Sequence, residues 1–425
     1  MPQEYKLVLK YADEPGYTPD IECYLRHGGY EALKKALTMP PKTLPDGKTQ
    51  SPQEQIREDV KISGLRGRGG AGFSCGLKWS FVDRKSGKPI YLICNADESE
   101  PGTFKDRQII HKDPHQLIEG MIISCFANDV KLAYIYIRGE MPEGAKRLNQ
   151  ALNEARAKNF LGKNVLGRGY DLEIYVHRGA GAYICGEETA LFNSIEGHRG
   201  EPRNKPPFPT QAGLFRQPTV VNNVETLINV PIIINQGGAA YASIGTENST
   251  GPRLFCLCGH IERPGVYEAP MGTTLRQLLS MAGGTAGTGR LQAILLGGAA
   301  GTFVSPKEID VPLTFEGTRA IGATLGSGVV MLFDDSVDLK RILLRIAAFF
   351  RHETCGQCVP CRVGVVRQQE ALQRLVDGRP LGSKADEIAM LQEMAQAMRD
   401  ASICGLGQTA ASALESALKR WNLFA

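Results

Sequence analysis

An alternation of apolar runs and helix-like segments between about residues 60 and 245 constrains the fold more than any other feature. A short apolar run predicts a buried strand, and each of three such runs precedes a segment of helical periodicity. This order is typical of a parallel sheet, in which ligands bind beyond the carboxyl ends of the strands. The predicted strands are Tyr91–Cys94, Leu132–Ile137 and Leu172–Val176, and the predicted helices are Arg107–Asn128, Pro142–Asn159 and Glu187–Ile195. We therefore predict a parallel-sheet, Rossmann-like α/β domain over residues 56–245.

The 425 residues leave room for about three domains of ~150 residues. The regions on either side of residues 56–245 have a different sequence pattern from the α/β domain. Residues 1–55 predict an extension that packs onto the α/β domain, with a helix over Ile21–Leu37 and a Pro/Gly-rich connector. Residues 246–336 carry short strand-like runs around one helix, which predicts a small α+β module. Residues 337–425 have helical periodicity throughout and predict a four-helix bundle.

Charge and hydropathy exclude two classes of protein. The 49 Lys and Arg residues against 45 Asp and Glu residues give a net charge of +4, without basic blocks. A nucleic-acid-binding protein is therefore disfavoured. The longest apolar stretches are interrupted well before the ~20 residues that a membrane-spanning helix needs. The N-terminal sequence MPQEYKLVLK lacks the order of a secretory signal, so we expect a cytoplasmic protein with no membrane span of its own.

Four of the eleven cysteines lie late in the chain, three of them at a spacing typical of a metal centre. Cys355, Cys358 and Cys361 are separated by two residues each, which lets a turning backbone aim three thiolates at neighbouring corners of one iron-sulfur cube. Cys404 is the candidate for the fourth ligand, and the direct interpretation is one [4Fe-4S] cluster. The alternatives are a four-cysteine zinc site, which usually pairs two C-x2-C units, and unligated core cysteines.

A glycine-rich loop, GLRGRGGAGF, covers residues 64–73. Its five glycines expose backbone N–H groups, and Arg66 and Arg68 add positive charge, so a phosphate or a flat ring could approach closely. The G-x-G-x-x-G within it is weak evidence for a dinucleotide fold, because residues 52–62 predict a helix where that fold requires a strand. The alternative is a flexible linker, but Lys78, Trp79 and Phe81 follow at once and favour a pocket.

Polar clusters follow the predicted strands, where ligands of such sheets bind. Asn95, Asp97, Glu98 and Glu100 follow the first strand, and a Gly/Ala-rich segment with Tyr183, Glu187 and Glu188 follows the third. The segment NNVETL, residues 222–227, adds a further cluster. Lys205-Pro-Pro-Phe208 predicts an extended segment with an exposed aromatic ring, suited to covering a base. For Glu187 and Glu188 the alternative is a favourable charge at a helix N-terminus.

Taken together, GLRGRGGAGF, NADE, EPGTFKDR, GAGAYICGEETAL, KPPFP, NNVETL and CGQCVPC occur in one order from about residue 30 onward. In that order they closely resemble the NADH-binding flavoprotein subunits (the F subunits) of respiratory complex I, NADH:quinone oxidoreductase. The resemblance implies a flavin domain, a ubiquitin-like (SLBB-type) module over 246–336 and a helical bundle holding the cluster. It also implies that FMN and NADH share one cavity near that cluster. The Ser74-Cys75 pair stands where Pro-Thr or Ser-Thr is common, which raises the question of a reactive thiol at Cys75.

The resemblance also implies the residues that bind the cofactors. The implied FMN contacts are Gly67, Arg68, Gly69, Lys78, Asn95, Asp97, Glu98, Tyr183, Glu187, Asn222, Asn223 and Thr226. The implied NADH contacts are Phe73, Lys78, Phe81, Glu100, Glu188, Lys205 and Phe208, with the three phenylalanines flanking the adenine and Glu188 near the ribose. The implied cluster ligands are Cys355, Cys358, Cys361 and Cys404.

The implied activity is oxidation of NADH. NADH gives up two electrons as hydride, a cluster accepts one at a time, and a flavin can connect the two steps. We therefore expect no catalytic acid, base or nucleophile. The implied partners are other iron-sulfur subunits of the peripheral arm, including a small [2Fe-2S] thioredoxin-like subunit, on the inner face of the cell membrane. The alternatives are a diaphorase subunit of an NAD-linked hydrogenase or formate dehydrogenase, and a zinc-holding scaffold that is not an enzyme.

Overall fold

Three helices and a small hairpin come first in the computed structural model, which describes residues 4–424. They are α1 (Ile21–Arg26), α2 (Glu31–Thr38), β1 (Lys42–Thr43), β2 (Thr49–Gln50) and α3 (Pro52–Ile62). The single helix predicted over residues 21–37 is wrong, because Gly28 and Tyr30 have φ of 83° and 63° and turn the chain between α1 and α2. The predicted packing is confirmed: the Glu119 carboxylate accepts hydrogen bonds from the backbone N–H groups of Tyr30, at 3.0 Å, and Leu33, at 2.9 Å.

The next part of the chain alternates strands and helices. Its elements are α4 (Cys75–Ser80), β3 (Tyr91–Ala96), α5 (Lys105–Lys112), α6 (Pro114–Ala127), β4 (Leu132–Ile137), α7 (Pro142–Ala157), β5 (Glu173–Arg178), α8 (Glu188–Ile195), α9 (Pro209–Ala212), β6 (Thr219–Asn223), α10 (Val224–Gln236) and α11 (Gly238–Ala242). The predicted helix over 107–128 is broken in two, because Asp113 caps α6 and Pro114 occupies its first position.

The predicted parallel sheet is confirmed, with a fourth strand that the sequence pattern missed. The strand order is β5-β4-β3-β6, and all neighbours are parallel. The missed strand β6 follows an irregular Pro-rich loop, so the alternation of apolar runs and helical segments did not predict it. Asn95 of β3 pairs in register with Asn223 of β6, and Ala96 with Ile137 of β4. The register therefore places the polar segments after β3 and β6 at one edge of the sheet.

A second, mixed sheet comes next. Its part of the chain contains β7 (Gly245–Thr246), β8 (Ser249–Thr250), β9 (Pro252–Gly259), β10 (Gly265–Pro270), α12 (Leu275–Met281), β11 (Leu291–Leu296), β12 (Thr302–Val304), α13 (Phe315–Ala320) and β13 (Val329–Asp334). The five-stranded order is β10-β9-β13-β11-β12, in which only β9 and β13 are parallel. The α+β prediction is confirmed, although β12 and α13 were not predicted.

The last part of the chain is helical, as predicted. It contains α14 (Leu339–Glu353), α15 (Val359–Val376), α16 (Lys384–Ala401), α17 (Gly405–Thr409) and α18 (Ser412–Arg420). The described residues of this region contain five helices where four were predicted, because α17 and α18 are separated at Ala410 and Ala411. Within residues 4–424, no helix combines the length and apolarity that crossing a membrane requires.

Candidate functional site

A cavity of about 640 Å³ lies at the carboxyl edge of the parallel sheet. This volume is within the ~300–1,000 Å³ typical of small-molecule sites. The sequence-predicted residues that line it, called the inner group, are Gly69, Asn95, Asp97, Glu98, Glu100, Tyr183, Glu187 and Asn223. Ala300 and Thr302 of the second sheet region and Gly405 and Leu406 of the helical region complete the wall. All three major parts of the chain therefore contribute to one cavity.

The glycine-rich loop forms part of this wall through its backbone. The Gly67 N–H donates to the Phe73 carbonyl at 2.8 Å, which closes the loop. A Cβ added at Gly69 would lie 3.0 Å from the Cβ of Asn223, so the loop lies against the start of α10. Close approach is thus the physical reason for glycine at position 69.

The arginines of that loop do not bring their charges to the cavity, contrary to the expectation. Arg68 is fully buried, its guanidinium donates to the Thr250 carbonyl at 2.8 Å, and its backbone N–H donates to the Thr226 hydroxyl at 2.9 Å. The Arg66 guanidinium lies 3.9 Å from the ring centre of Phe315. The bond between Arg68 and Thr226 therefore anchors the loop. Asn222 anchors the helix that follows the loop, because its side-chain oxygen accepts from the Trp79 indole N–H at 3.1 Å.

Asp97 is the inner-group residue with an unused hydrogen-bonding atom. Its Oδ2 is buried and has no hydrogen-bond partner within the described residues, although Asp97 lines the cavity. Burial raises the pKa of Asp97 to about 7. A buried polar atom without a partner costs free energy, so this oxygen is suited to accept a hydrogen bond from a ligand hydroxyl.

The neighbouring Glu98 is held by helix α5. Its carboxylate accepts from the backbone N–H groups of Asp106, at 2.6 Å, and Arg107, at 3.1 Å. Burial, followed by the charge of Asp106, raises the pKa of Glu98 to about 7. Glu98 therefore caps a helix at the cavity wall, which fixes the loop that carries Asp97.

A buried ion cluster beside the cavity was missed by the sequence analysis. The Lys105 ammonium lies 2.7 Å from Asp106 and 2.9 Å from Glu225, and Asn223 accepts from it at 3.2 Å. Burial lowers the pKa of Lys105, but the charges of Asp106 and Glu225 outweigh this and raise it. The motif EPGTFKDR was the available signal, because it places a Lys-Asp pair directly after the polar segment that follows β3.

A second set of predicted residues lies outside the cavity wall and is called the outer group: Phe73, Lys78, Phe81, Glu188, Lys205 and Phe208. The three phenylalanines are 47%, 54% and 54% exposed, and the ring centres of Phe73 and Phe81 are 6.4 Å apart. An exposed pair of rings such as Phe73 and Phe81 is typical of a binding surface. Phe208 is exposed, as predicted, and the peptide bonds Lys205-Pro206 and Pro206-Pro207 before it are both cis.

The charged members of the outer group form a compact network. Glu188 contacts Lys205 at 2.8 Å and Lys78 at 3.4 Å. Burial raises the pKa of Glu188, but the charges of Lys78 and Lys205 outweigh it and the pKa is lowered. Glu187 accepts from the N–H groups of Thr189 and Ala190 and so caps α8, as the alternative interpretation held, and its other oxygen accepts from Lys205 at 3.1 Å. Lys205 thus connects the outer group to the inner group.

The four late cysteines belong to one apolar cluster. Cys355 follows α14, Cys358 caps α15, Cys361 lies in its first turn, and Cys404 directly precedes α17. Burial, followed by Cys358, Cys404 and Cys355 among the neighbouring groups, raises the pKa of Cys361 to about 11. None of the four forms a disulfide within the described residues. Among residues 4–424, no three His, Cys, Asp or Glu side chains are arranged to hold a metal ion.

The chain is similar to known proteins. Three family models match: the Nuo51 FMN-binding domain over residues 60–232, the SLBB domain over 254–300 and the NADH-ubiquinone oxidoreductase-F iron-sulfur binding region over 341–423. The NADH-quinone oxidoreductase F subunit of Aquifex aeolicus is 49% identical over 98% of this chain and 92% of its own. The chain belongs to the family of NADH-quinone oxidoreductase F subunits. The Streptomyces coelicolor member is 47% identical over 94% of this chain and 86% of its own.

The fold is also similar to solved structures of another enzyme. A chain of the NAD+-reducing [NiFe]-hydrogenase in its H2-reduced state is 33% identical, with a TM-score of 0.78, over 97% of this chain. The air-oxidised state gives 34% identity and a TM-score of 0.79. This member of the F-subunit family spans 65% of the length of those hydrogenase chains.

Cys75, whose reactivity the sequence left open, is buried in this family member. It is 1% exposed, burial raises its pKa to about 12, and the Asn222 amide donates to its sulfur at 3.6 Å. A reactive thiol requires exposure and a lowered pKa. Cys75 is therefore an inert core residue beneath the loop, which answers the question raised by the sequence.

Proposed function

We propose that this chain is the NADH-oxidising flavoprotein subunit of an NADH:quinone oxidoreductase, which transfers hydride from NADH to FMN and passes the electrons singly to a [4Fe-4S] cluster. One observation carries the proposal. The cavity wall includes Gly405 and Leu406, which directly follow Cys404, and Glu187, whose carboxylate accepts from Lys205 of the outer group at 3.1 Å. Neighbours of a cysteine and a residue bonded to the outer group therefore line one cavity.

The inner group fits FMN. The N–H groups of the glycine-rich loop and the start of α10 are suited to the phosphate, as helix N-termini commonly are. Asp97 has a free buried oxygen for a hydroxyl of the sugar chain, and Tyr183 and Glu187 lie on the segment that faces the cysteines. When bound, FMN supplies the change from two-electron to one-electron chemistry. The protein binds and orients it, and no side chain is required to move a proton.

The outer group fits NADH. Phe73, Phe81 and Phe208 offer ring faces to an adenine, and stacking of aromatic groups contributes roughly 0.5–1.5 kcal/mol per pair beyond burial. Glu188 accepts hydrogen bonds from ribose hydroxyls, and Lys78 and Lys205 hold its carboxylate in place. Glu100, the remaining implied NADH contact, lines the cavity as part of the inner group.

The four cysteines fit a [4Fe-4S] cluster. Each thiolate of such a cluster binds a different iron, so the four sulfurs need not converge on one point. Burial raises the pKa of Cys404 to about 11, and the N–H groups of Leu406 and Gly407 oppose part of that rise. Cys355, Cys358, Cys361 and Cys404 would hold the cluster.

The partners and the domain division are part of the proposal. Other iron-sulfur subunits, including a small [2Fe-2S] thioredoxin-like subunit, would accept the electrons in a peripheral arm on the inner face of the cell membrane. The domains would be the extension 1–55, the flavin domain 56–245, an SLBB-type ubiquitin-like domain 246–336, supported by the family match over 254–300, and a four-helix bundle with the cluster over 337–425.

The second candidate is a diaphorase subunit of an NAD-linked hydrogenase or formate dehydrogenase, with the same chemistry and another acceptor. The similarity to the hydrogenase chains favours it, but their 33% identity is lower than the 49% of the Aquifex F subunit. Co-purification of the complex from its source and identification of the associated subunits distinguishes the two.

The experiment that tests the function uses the full chain loaded with FMN and iron. NADH should bleach the flavin absorption and produce the low-temperature paramagnetic signal of a reduced cluster. Cys404→Ser should abolish that signal while FMN stays bound and NADH–ferricyanide activity persists at least in part. A full signal in this variant would show that another residue is the fourth ligand, and a colourless zinc protein would end the enzyme proposal.

A further inference from the structure

Glu353, which the sequence analysis did not single out, connects the cysteine region to the cavity. It is the last residue of α14, two residues before Cys355, and its Oε2 accepts from the backbone N–H of Tyr183 at 3.1 Å. Tyr183 opens the short 3-10 turn Tyr183–Gly186, and no side chain of the preceding residue caps that turn. A carboxylate from the helical region thus satisfies an N–H group that the cavity segment leaves open.

Tyr183 is held at two further points. Its hydroxyl donates to Oε2 of Glu100 at 2.6 Å, and the other oxygen of Glu100 accepts from the Ala300 N–H at 2.9 Å. Its ring packs edge-on against Phe349 at 5.1 Å between centres. Phe349 and Glu353 are four residues apart on α14, so they lie on one face of that helix.

These contacts form one series of hydrogen bonds across the three parts of the molecule. It runs from Glu353 in the helical region through Tyr183 and Glu100 at the cavity to Ala300 in the second sheet region. Hydrogen bonds to charged groups are among the stronger ones in proteins. Within this series, the Glu353 bond is the link that joins α14, and hence Cys355, to the cavity wall.

We propose that Glu353 is a positioning residue that fixes the cavity segment 183–187 relative to Cys355 and thereby sets the efficiency of electron transfer from the flavin to the cluster. The inference rests on the proposed function but concerns a residue outside both binding groups. Glu353 acts through Tyr183, so its loss should leave hydride transfer from NADH intact and slow only the onward step.

Two substitutions separate the hydrogen bond from the charge. Glu353→Gln and Glu353→Ala both remove the negative charge, but glutamine keeps an acceptor oxygen for the Tyr183 N–H. Any effect of the charge, for example on Asp97, is therefore common to the two variants, and the difference between them reports the bond. Glu370→Gln on α15, where Glu370 pairs with Arg367 at the surface, is the matched control.

The first readout is hydrogen exchange of the Tyr183 amide in the full chain. Loss of a bond to a charged group should speed local exchange by about tenfold or more in Glu353→Ala. Glu353→Gln should remain within a few-fold of the native chain, and Glu370→Gln should not change. Equal exchange in the alanine and glutamine variants would overturn the proposed bond.

The second readout separates the two electron steps after rapid mixing of the loaded chain with NADH. Flavin bleaching should keep its native rate, while appearance of the reduced-cluster signal should be roughly two- to tenfold slower in Glu353→Ala than in Glu353→Gln. Equal slowing in both, with a shifted cluster potential, would show that the charge matters and would overturn the positioning role. If NADH bleaches the flavin of the native chain but never reduces its cluster, the proposed function is contradicted instead. Hydrogen exchange of the Tyr183 amide then still tests the bond to Glu353.

Glu353→Asp covers the case in which the alanine variant fails to fold or to keep its cluster. It retains the charge but withdraws the carboxylate by about one C–C bond, ~1.5 Å. Faster Tyr183 exchange and slower cluster reduction are expected. Native behaviour in both would overturn the proposal.

Discussion

The inner and outer groups of the site differ in solvent exposure and in how their polar atoms are bonded. Most residues of the inner group are half-buried and Glu98 is buried, and their polar atoms are largely bonded within the chain, for example Glu98 to the first amides of α5. The outer group presents three rings that are about half exposed, beside the charged network of Glu188, Lys78 and Lys205. A tightly held cofactor needs a preorganised, dehydrated wall, whereas a substrate that leaves after each turnover needs an accessible surface. The difference therefore matches a resident flavin inside and an exchanging nucleotide outside.

The largest expected effect tests whether the outer group selects the nucleotide. NADPH would place a phosphate near Glu188, and two unit charges about 4 Å apart repel by roughly 4 kcal/mol at an effective dielectric of 20. Half of that already disfavours NADPH by more than tenfold. Glu188→Gln removes a negative charge beside Lys78 and Lys205, so the NADPH-to-NADH ratio of kcat/KM should rise by more than tenfold with unchanged flavin and cluster spectra.

Glu201→Gln serves as the control for that ratio. Glu201 pairs with Arg199 at 2.9 Å outside both groups, so its loss should leave nucleotide preference unaltered. If Glu188→Gln leaves the ratio unmoved and only lowers stability, Glu188 is a helix charge without a role in selection.

The next effect tests whether Asp97 of the inner group lowers the free energy of unfolding of the flavin-free protein. Asp97 has a folded-state pKa of about 7 against an ordinary value of 3.8, so the folded chain binds the proton more tightly than the unfolded chain. Its contribution therefore destabilises the flavin-free protein increasingly as pH rises from about 4 to about 7, and levels off above. Asp97→Asn cannot ionise and should be more stable at pH 8 by about 1–3 kcal/mol, with no difference near pH 4.

Thermal unfolding across pH, with and without FMN, measures this effect. FMN should raise the Tm of Asp97→Asn less than that of the native chain, because the variant lacks one acceptor. Asp310→Asn, at an exposed ion pair with Arg276, should show no stabilisation at pH 8. If Asp97→Asn is less stable than the native chain at pH 8, Asp97 is not a buried acceptor that lacks a partner in the flavin-free protein.

The smallest effect tests the exposed rings. Phe208→Ala removes one of the three outer rings, and the loss of roughly 0.5–1.5 kcal/mol of aromatic contact corresponds to a KM for NADH about two- to tenfold higher. The free energy of unfolding should hardly change, because Phe208 is 54% exposed. Phe215→Ala, at a ring 45% exposed elsewhere in the chain, should leave the KM unchanged. An equal KM in both variants would remove Phe208 from the nucleotide site.

The sequence by itself determined the features that depend on neighbouring residues. The parallel sheet followed from the spacing of apolar runs and the helical C-terminal region from its periodicity. The two-residue spacing of Cys355, Cys358 and Cys361 predicted the cysteine centre that we propose. Backbone geometry and side-chain direction repeat over a few residues, so patterns of this kind are visible in the chain itself. The boundaries were less visible, as the break at Asp113 and the missed strand β6 show.

Only the tertiary structure decided which side chains meet and which are buried. It turned the Arg68 guanidinium away from the cavity, enclosed Cys75 in the core, and joined Lys105 to Glu225, which lies far along the chain. It also brought Glu353 to the Tyr183 amide from a different part of the chain. Burial and long-range pairing are properties of the packed whole, and they set the pKa of Asp97 and the inertness of Cys75, which no local pattern encodes.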